Sequence, residues 1–128
     1  MIHKQILVPL RVRCPPPEGF SWVDRRFVRE FACKLSHDAI ALYFFLAAVS
    51  DKHGLSFYRD ASIAVRLRLS ERAVLTARGE LLALDLVAYR SPLTQVLSLP
   101  RVQPRKRGGL HSLGEVIRQL GRDSQDKE

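Results

Sequence analysis

Residues 60–99 read DASIAVRLRLSERAVLTARGELLALDLVAYRSPLTQVLSL, and a helix, a turn, a second helix and two short strands follow one another there. Asp60 is placed to cap a helix whose inner face is Ile63, Ala64 and Leu67. Leu69 followed by Ser70 makes the turn, and Ser70 caps a helix over about residues 71–84 with Val74, Ala77 and Leu81 on its buried stripe. Asp85 ends that helix. Leu86-Val87-Ala88-Tyr89 is rich in strand formers, and Ser91-Pro92 turns the chain. Residues 95–99 then alternate loosely, as a return strand does, so the spacing predicts a hairpin with its tip over residues 90–94.

Working outward toward lower numbers, Ser56-Phe57-Tyr58 has room for only a short strand before Asp60. Ser36 is the N-cap of an earlier helix, with Asp38 in the first turn where the helix dipole favours an acid. That helix runs to about Ser50, and Gly54 is well placed to follow its end. Its apolar residues Ile40, Leu42, Tyr43, Phe44, Phe45, Leu46 and Val49 point in nearly every direction, which places it centrally in a core or at a subunit interface. Ser21 with Asp24 resembles a capping box and predicts a helix from about Trp22, with Val23, Phe27, Val28 and Phe31 on one face. Residues 2–12 alternate with period two and predict a half-buried strand, restricted to an edge by Pro9. Cys14-Pro15-Pro16-Pro17 enforces an extended connector.

Beyond residue 100, Pro104 and Arg105-Lys106-Arg107-Gly108-Gly109 read as a flexible basic linker. Ser112 with Glu115 is a full capping box, and Leu113, Val116, Ile117 and Leu120 form an amphipathic stripe closed by Gly121. A helix this short needs a surface to dock on, whether its own core, another copy of the chain or a different protein. The organisation expected is therefore a strand and Pro-rich connector over residues 1–20, a folded domain over 21–100, and a linker, short helix and polar end over 101–128.

The chain carries 21 Lys and Arg against 13 Asp and Glu, a net charge of +8. Residues 1–100 hold 14 basic and 9 acidic side chains and residues 101–128 hold 7 and 4, so the excess is spread over both parts. A field of this sign attracts polyanions, and the dominance of Arg over Lys suits bidentate contacts to phosphate and guanine. Cys14 and Cys33 stand apart with no metal-ligand spacing, which reads as two reduced thiols and no metal site. The first residues lack the apolar core of a signal peptide and no run approaches the roughly 18 apolar residues of a membrane span, so a cytoplasmic location is expected. His3, His37, His53 and His111 are scattered, without paired carboxylates, a Gly-rich phosphate loop or a nucleophile motif. An enzyme is the least supported reading, and no cofactor is implied.

Ile63-Ala64-Val65-Arg66-Leu67-Arg68-Leu69-Ser70, through Leu81 to Leu86-Val87, resembles the winged helix-turn-helix domains of bacterial transcription regulators and of plasmid or phage replication initiators. The resemblance implies a mainly α domain with a small β-hairpin, an α+β fold in which Val74, Ala77, Leu81, Leu86 and Val87 are core. It also implies that Arg72, Leu75, Thr76 and Gly79 face DNA, that Arg59, Arg66, Arg68 and Arg78 contact phosphates, and that Arg90 lies at the tip of the wing. Arg105, Lys106 and Arg107 would add phosphate contacts from the linker. The chain departs from the family pattern at Asp85, where Gly is usual, and at Arg78, where an apolar residue is usual; both bear on sequence readout more than on fold. The function expected is DNA binding in transcription or replication of a bacterium or its mobile elements, as a homodimer, with RNA in place of DNA left open. The alternative is a protein-interaction module that uses Leu75, Leu82 and Leu84 together with the 113–120 stripe.

Overall fold

The computed structural model describes residues 4–101. The linker and helix expected over residues 105–120 lie outside the described residues. Helix α1 (His37–Val49), strand β1 (Leu55–Phe57), helices α2 (Asp60–Leu67) and α3 (Glu71–Ala83), and strands β2 (Val87–Arg90) and β3 (Leu93–Val96) follow in that order. The three strands form one antiparallel sheet in the order β1-β3-β2, with Phe57 opposite Leu93 and Val87 opposite Val96. The result is a small α+β domain.

Helix starts follow local chemistry closely. The Ser36 hydroxyl accepts from the Ala39 N–H at 3.1 Å and the Ser70 hydroxyl from the Ala73 N–H at 3.0 Å, each satisfying one of the amides that a helix start leaves without a partner. α1, apolar on all sides, is the central element and packs against α3, α2 and β3. Leu42 and Leu46 of α1 meet Ile63 of α2, Val74 and Leu81 of α3, and Leu86, all almost fully buried. Phe27 closes the open end of this core by stacking on Tyr43 at 4.0 Å between ring centroids.

Two turns show how tightly the sheet is fitted to the helices. Gly54 sits at φ +84°, and a Cβ there would stand 2.5 Å from the Val96 carbonyl oxygen, because Gly54 accepts from the Val96 N–H at 2.8 Å. Only a residue without a side chain lets the loop lie against β3 in this way. Asp85 adopts φ 61°, the left-handed conformation for which glycine is usual, and Asp is among the few residues that tolerate it. Leu86 can then donate back to the Leu81 carbonyl at 3.0 Å and start β2 directly beneath α3.

Four expectations are corrected. The strand predicted across residues 2–12 is not formed over its described part: residues 4–8 lie outside any strand, and residues 9–11 make a 3-10 turn, led by Pro9, which presets φ for it. Its side chains alternate as a strand's do, but it pairs with neither edge of the described sheet. The helix from Trp22 is also absent. The Ser21 hydroxyl donates to the Ala48 carbonyl at 3.0 Å instead of capping, and Asp24 accepts the Arg26 N–H at 2.8 Å, which delays the start to a π turn (Phe27–Phe31) and a 3-10 turn (Ala32–Lys34). The N-cap of α2 is Arg59 rather than Asp60, whose carboxylate is engaged elsewhere. The hairpin connection is only Ser91-Pro92, so Arg90 and Leu93 pair within the ladder, and β3 starts earlier than expected and ends at Val96.

Glu80 joins the first and third helices. Its carboxylate accepts from the Ser36 N–H at 2.8 Å and from the Ser36 hydroxyl at 2.6 Å, and these two bonds hold its pKa below the usual 4.5. A carboxylate with a folded-state pKa below its unfolded value contributes stability that is full above the unfolded pKa and lost as pH falls through the folded one. Glu80→Ala is expected to cost about 1 kcal/mol near neutral pH, with the difference from the parent chain shrinking below about pH 4.5, as read from urea unfolding curves across the acid range. A difference independent of pH would show that the bond to Ser36 is not what Glu80 contributes.

Candidate nucleic-acid interface

The outer surface of α3 is set by helical spacing. Val74, Ala77, Arg78 and Leu81 form the buried stripe, which leaves Arg72, Leu75, Thr76, Gly79 and Leu82 on the exposed one. Leu75 is 59% exposed and Leu82 42%. None of the other described residues covers the outer surface of α3. A Cβ added at Gly79 would meet nothing within 4 Å.

Exposed arginines precede and follow this helix in the chain. Arg59 precedes α2, Arg66 lies in its last turn, Arg68 closes it, and Arg72 opens α3, all four exposed. Arg66 lies over the Tyr58 ring at 5.7 Å, a contact that orients the guanidinium without neutralising it. Arg68 occupies the left-handed region at φ 59°, held by the Leu69 N–H donating to the Ala64 carbonyl at 2.9 Å. A non-glycine residue there costs roughly 1–2 kcal/mol. Arg90, also exposed, ends β2 at the hairpin connection. The ion pairs among the described residues are Arg26 with Glu30 and Arg78 with Asp60, so Arg59, Arg66, Arg68, Arg72 and Arg90 carry charge that no described carboxylate offsets.

Arg78 is the correction at this site. Expected to contact phosphate, it is 3% exposed. Its guanidinium donates to both carboxylate oxygens of Asp60, at 3.3 Å from Nη1 and more closely from Nη2, and it lies 4.0 Å above the Tyr89 ring. Planar, delocalised and weakly hydrated, guanidinium is the cation best suited to such a buried place. The three residues join the start of α2, the middle of α3 and β2. Sequence reasoning missed this cluster, although the signal was present: position 78 falls on the same stripe as Val74, Ala77 and Leu81. Arg105, Lys106 and Arg107 lie outside the described residues, as do Leu113, Val116, Ile117 and Leu120.

Elsewhere, the described residues contain no group of three or more His, Cys, Asp or Glu able to hold a metal ion, and both cysteines are exposed and unpaired. Asp51 accepts from the backbone N–H groups of His53 and Leu55 at 2.8 and 3.0 Å, which uses its carboxylate to close the loop after α1 and lowers its pKa. No helix among the described residues is long and apolar enough to cross a membrane. Compared with known proteins, the chain matches no family model, no curated protein and no solved structure.

If Arg78 is held as described, removing its partner leaves a charge stranded in the interior. Asp60→Ala is expected to destabilise the chain by about 3 kcal/mol, whereas Asp60→Ala combined with Arg78→Met should cost distinctly less than Asp60→Ala alone. Chemical unfolding of Asp60→Ala, Arg78→Met and the double variant measures this, and additive losses would show that the pair is not coupled.

Proposed function

We propose that this chain is a winged helix-turn-helix DNA-binding protein, acting in transcription or replication of a bacterium or a mobile element. The observation that carries the reading is the exposed stripe of α3, flanked in the chain by exposed arginines that no described carboxylate pairs. α3 is the recognition helix of this reading, and the β2–β3 hairpin is the wing. The strand order β1-β3-β2 supports it, since the first strand of such a fold pairs with the returning strand of its wing. Gly79 supports it further. Glycine in the interior of an exposed helix costs about 1 kcal/mol against alanine, and no neighbour among the described residues needs the space. A groove wall or sugar-phosphate backbone brought against α3 does need it.

Arg66, Arg68 and Arg72 flank the turn between α2 and α3 and supply phosphate contacts that fix register, while Arg90 reaches from the wing. Arg72 and Thr76 are the side chains able to read base edges: Arg72 toward guanine, Thr76 toward a thymine methyl or a phosphate. Leu75 contributes only apolar contact, so affinity in this reading rests more on backbone than on bases. A protein partner on the same face is the second reading, favoured by the exposure of Leu75 and Leu82.

Fluorescence anisotropy of labelled duplex DNA at several salt concentrations distinguishes the two. DNA binding predicts micromolar or tighter association at low salt, with Arg66→Gln and Arg72→Gln each reducing the slope of log K against log salt by about one. Gly79→Ala is expected to weaken DNA binding while raising stability by roughly 0.5–1 kcal/mol. No association at low salt would remove the DNA reading and leave the protein partner.

A further inference from the structure

Residues 4–12 present an apolar surface that the other described residues leave exposed. Ile6 is 64% exposed, Leu7 89%, Val8 55%, Leu10 95% and Val12 59%. Among the described residues, no hydrogen bond joins residues 4–19 to the body of the domain, the bonds there being Arg11 to Val8 and Gly19 to Pro16. Pro15, Pro16 and Pro17 stiffen the connection, and residues 4–14 reach on the order of 30 Å from it.

The same subunit has a groove of about 580 Å³ between residues 20–24, the end of α1 with the loop after it, and residues 96–99. Its apolar walls include Phe20, Trp22, Tyr43, Ala47, Leu97 and Leu99, and none of its lining comes from residues 4–19. Trp22 is 76% exposed and Phe20 67%. Asp24 and Asp51 stand on the rim against Lys52 and His53, while the 4–13 segment carries Lys4, Arg11 and Arg13 with no acid.

We infer that residues 4–12 of one copy lie in this groove of a second copy, and that the exchange is reciprocal. Area fits a weak, reversible pairing with a second copy. On an extended arm Ile6, Val8, Leu10 and Val12 share one side, and full burial of a Val, Leu or Ile side chain removes about 60–120 Å² from water, so the four offer on the order of 200 Å² per arm, matched by a similar area of groove. Two arms in two grooves then bury roughly 800 Å², the scale of a weak, concentration-dependent contact. Charge favours the same occupant, because the basic segment meets the two rim carboxylates. The period-two alternation of residues 2–12, unused within one subunit, suits an extended segment with one side against a partner. This inference does not rest on the DNA reading.

Sedimentation of the full chain from low to high micromolar concentration, with Trp22 emission followed over the same range, provides the test, since Trp22 is the chain's single tryptophan. The expected result is a dimer whose formation shifts Trp22 emission to the blue. Val8→Glu combined with Leu10→Glu should weaken dimerisation more than about tenfold and keep Trp22 solvated. Both side chains lie outside the core, so the double variant should retain the parent's circular dichroism and the unfolding midpoint of the dilute monomer. A parent chain that stays monomeric overturns the inference, and blue-shifted Trp22 in that monomer would mean that its own arm fills the groove. A dimer unaffected by the double variant overturns it as well, because another surface would then join the copies.

Discussion

The guanidinium of Arg78, inserted between the Asp60 carboxylate and the Tyr89 ring, is the contact on which the geometry of the domain turns. A charged group this deep is stable only where its partners are already in place. α2 must therefore begin where Asp60 can reach, α3 must present position 78 inward, and β2 must bring Tyr89 across it. With those conditions met, the angle between the two helices and the position of the hairpin are set together. Apolar side chains alone would allow more than one packing; a paired charge restricts the choice.

That restriction is what gives the outer surface its order. Since Arg78 points inward, Arg72, Thr76 and Gly79 point outward, and the turn containing Arg66 and Arg68 lies at one end of the exposed stripe. Six arginines between residues 59 and 90 thus divide into one structural and five exposed. Their chemistry is identical. Helical phase separates their roles.

Where a local signal is complete, the sequence was sufficient. Ser36 and Ser70 cap the helices expected of them, Gly54 closes the loop after α1, and the core positions from Val74 to Val87 are buried. Legibility failed where a local signal competes with a distant partner. The hydroxyl of Ser21 resembles a cap but serves Ala48 across the fold, and the carboxylate of Asp60 resembles a cap but serves Arg78. Residues 2–12 have a strand's alternation without a strand's partner, and periodicity carries no information about whether an edge is available. For the candidate interface, the exposed arginines were legible from charge and spacing. The burial of Arg78 required its helical phase to outweigh its charge.

The position of β3 in the middle of the sheet has a consequence for the route to this fold. β1 is synthesised early, yet its hydrogen-bonding partner is the last strand of the domain, 38 positions away from Leu55 to Leu93. The β2–β3 ribbon closes locally, and joining it to β1 closes the longest loop in the sheet, at the highest cost in chain entropy. During emergence from a ribosome, β1 consequently waits as an unsatisfied edge until residue 96 is free. The sheet can therefore be completed only after both intervening helices have been synthesised.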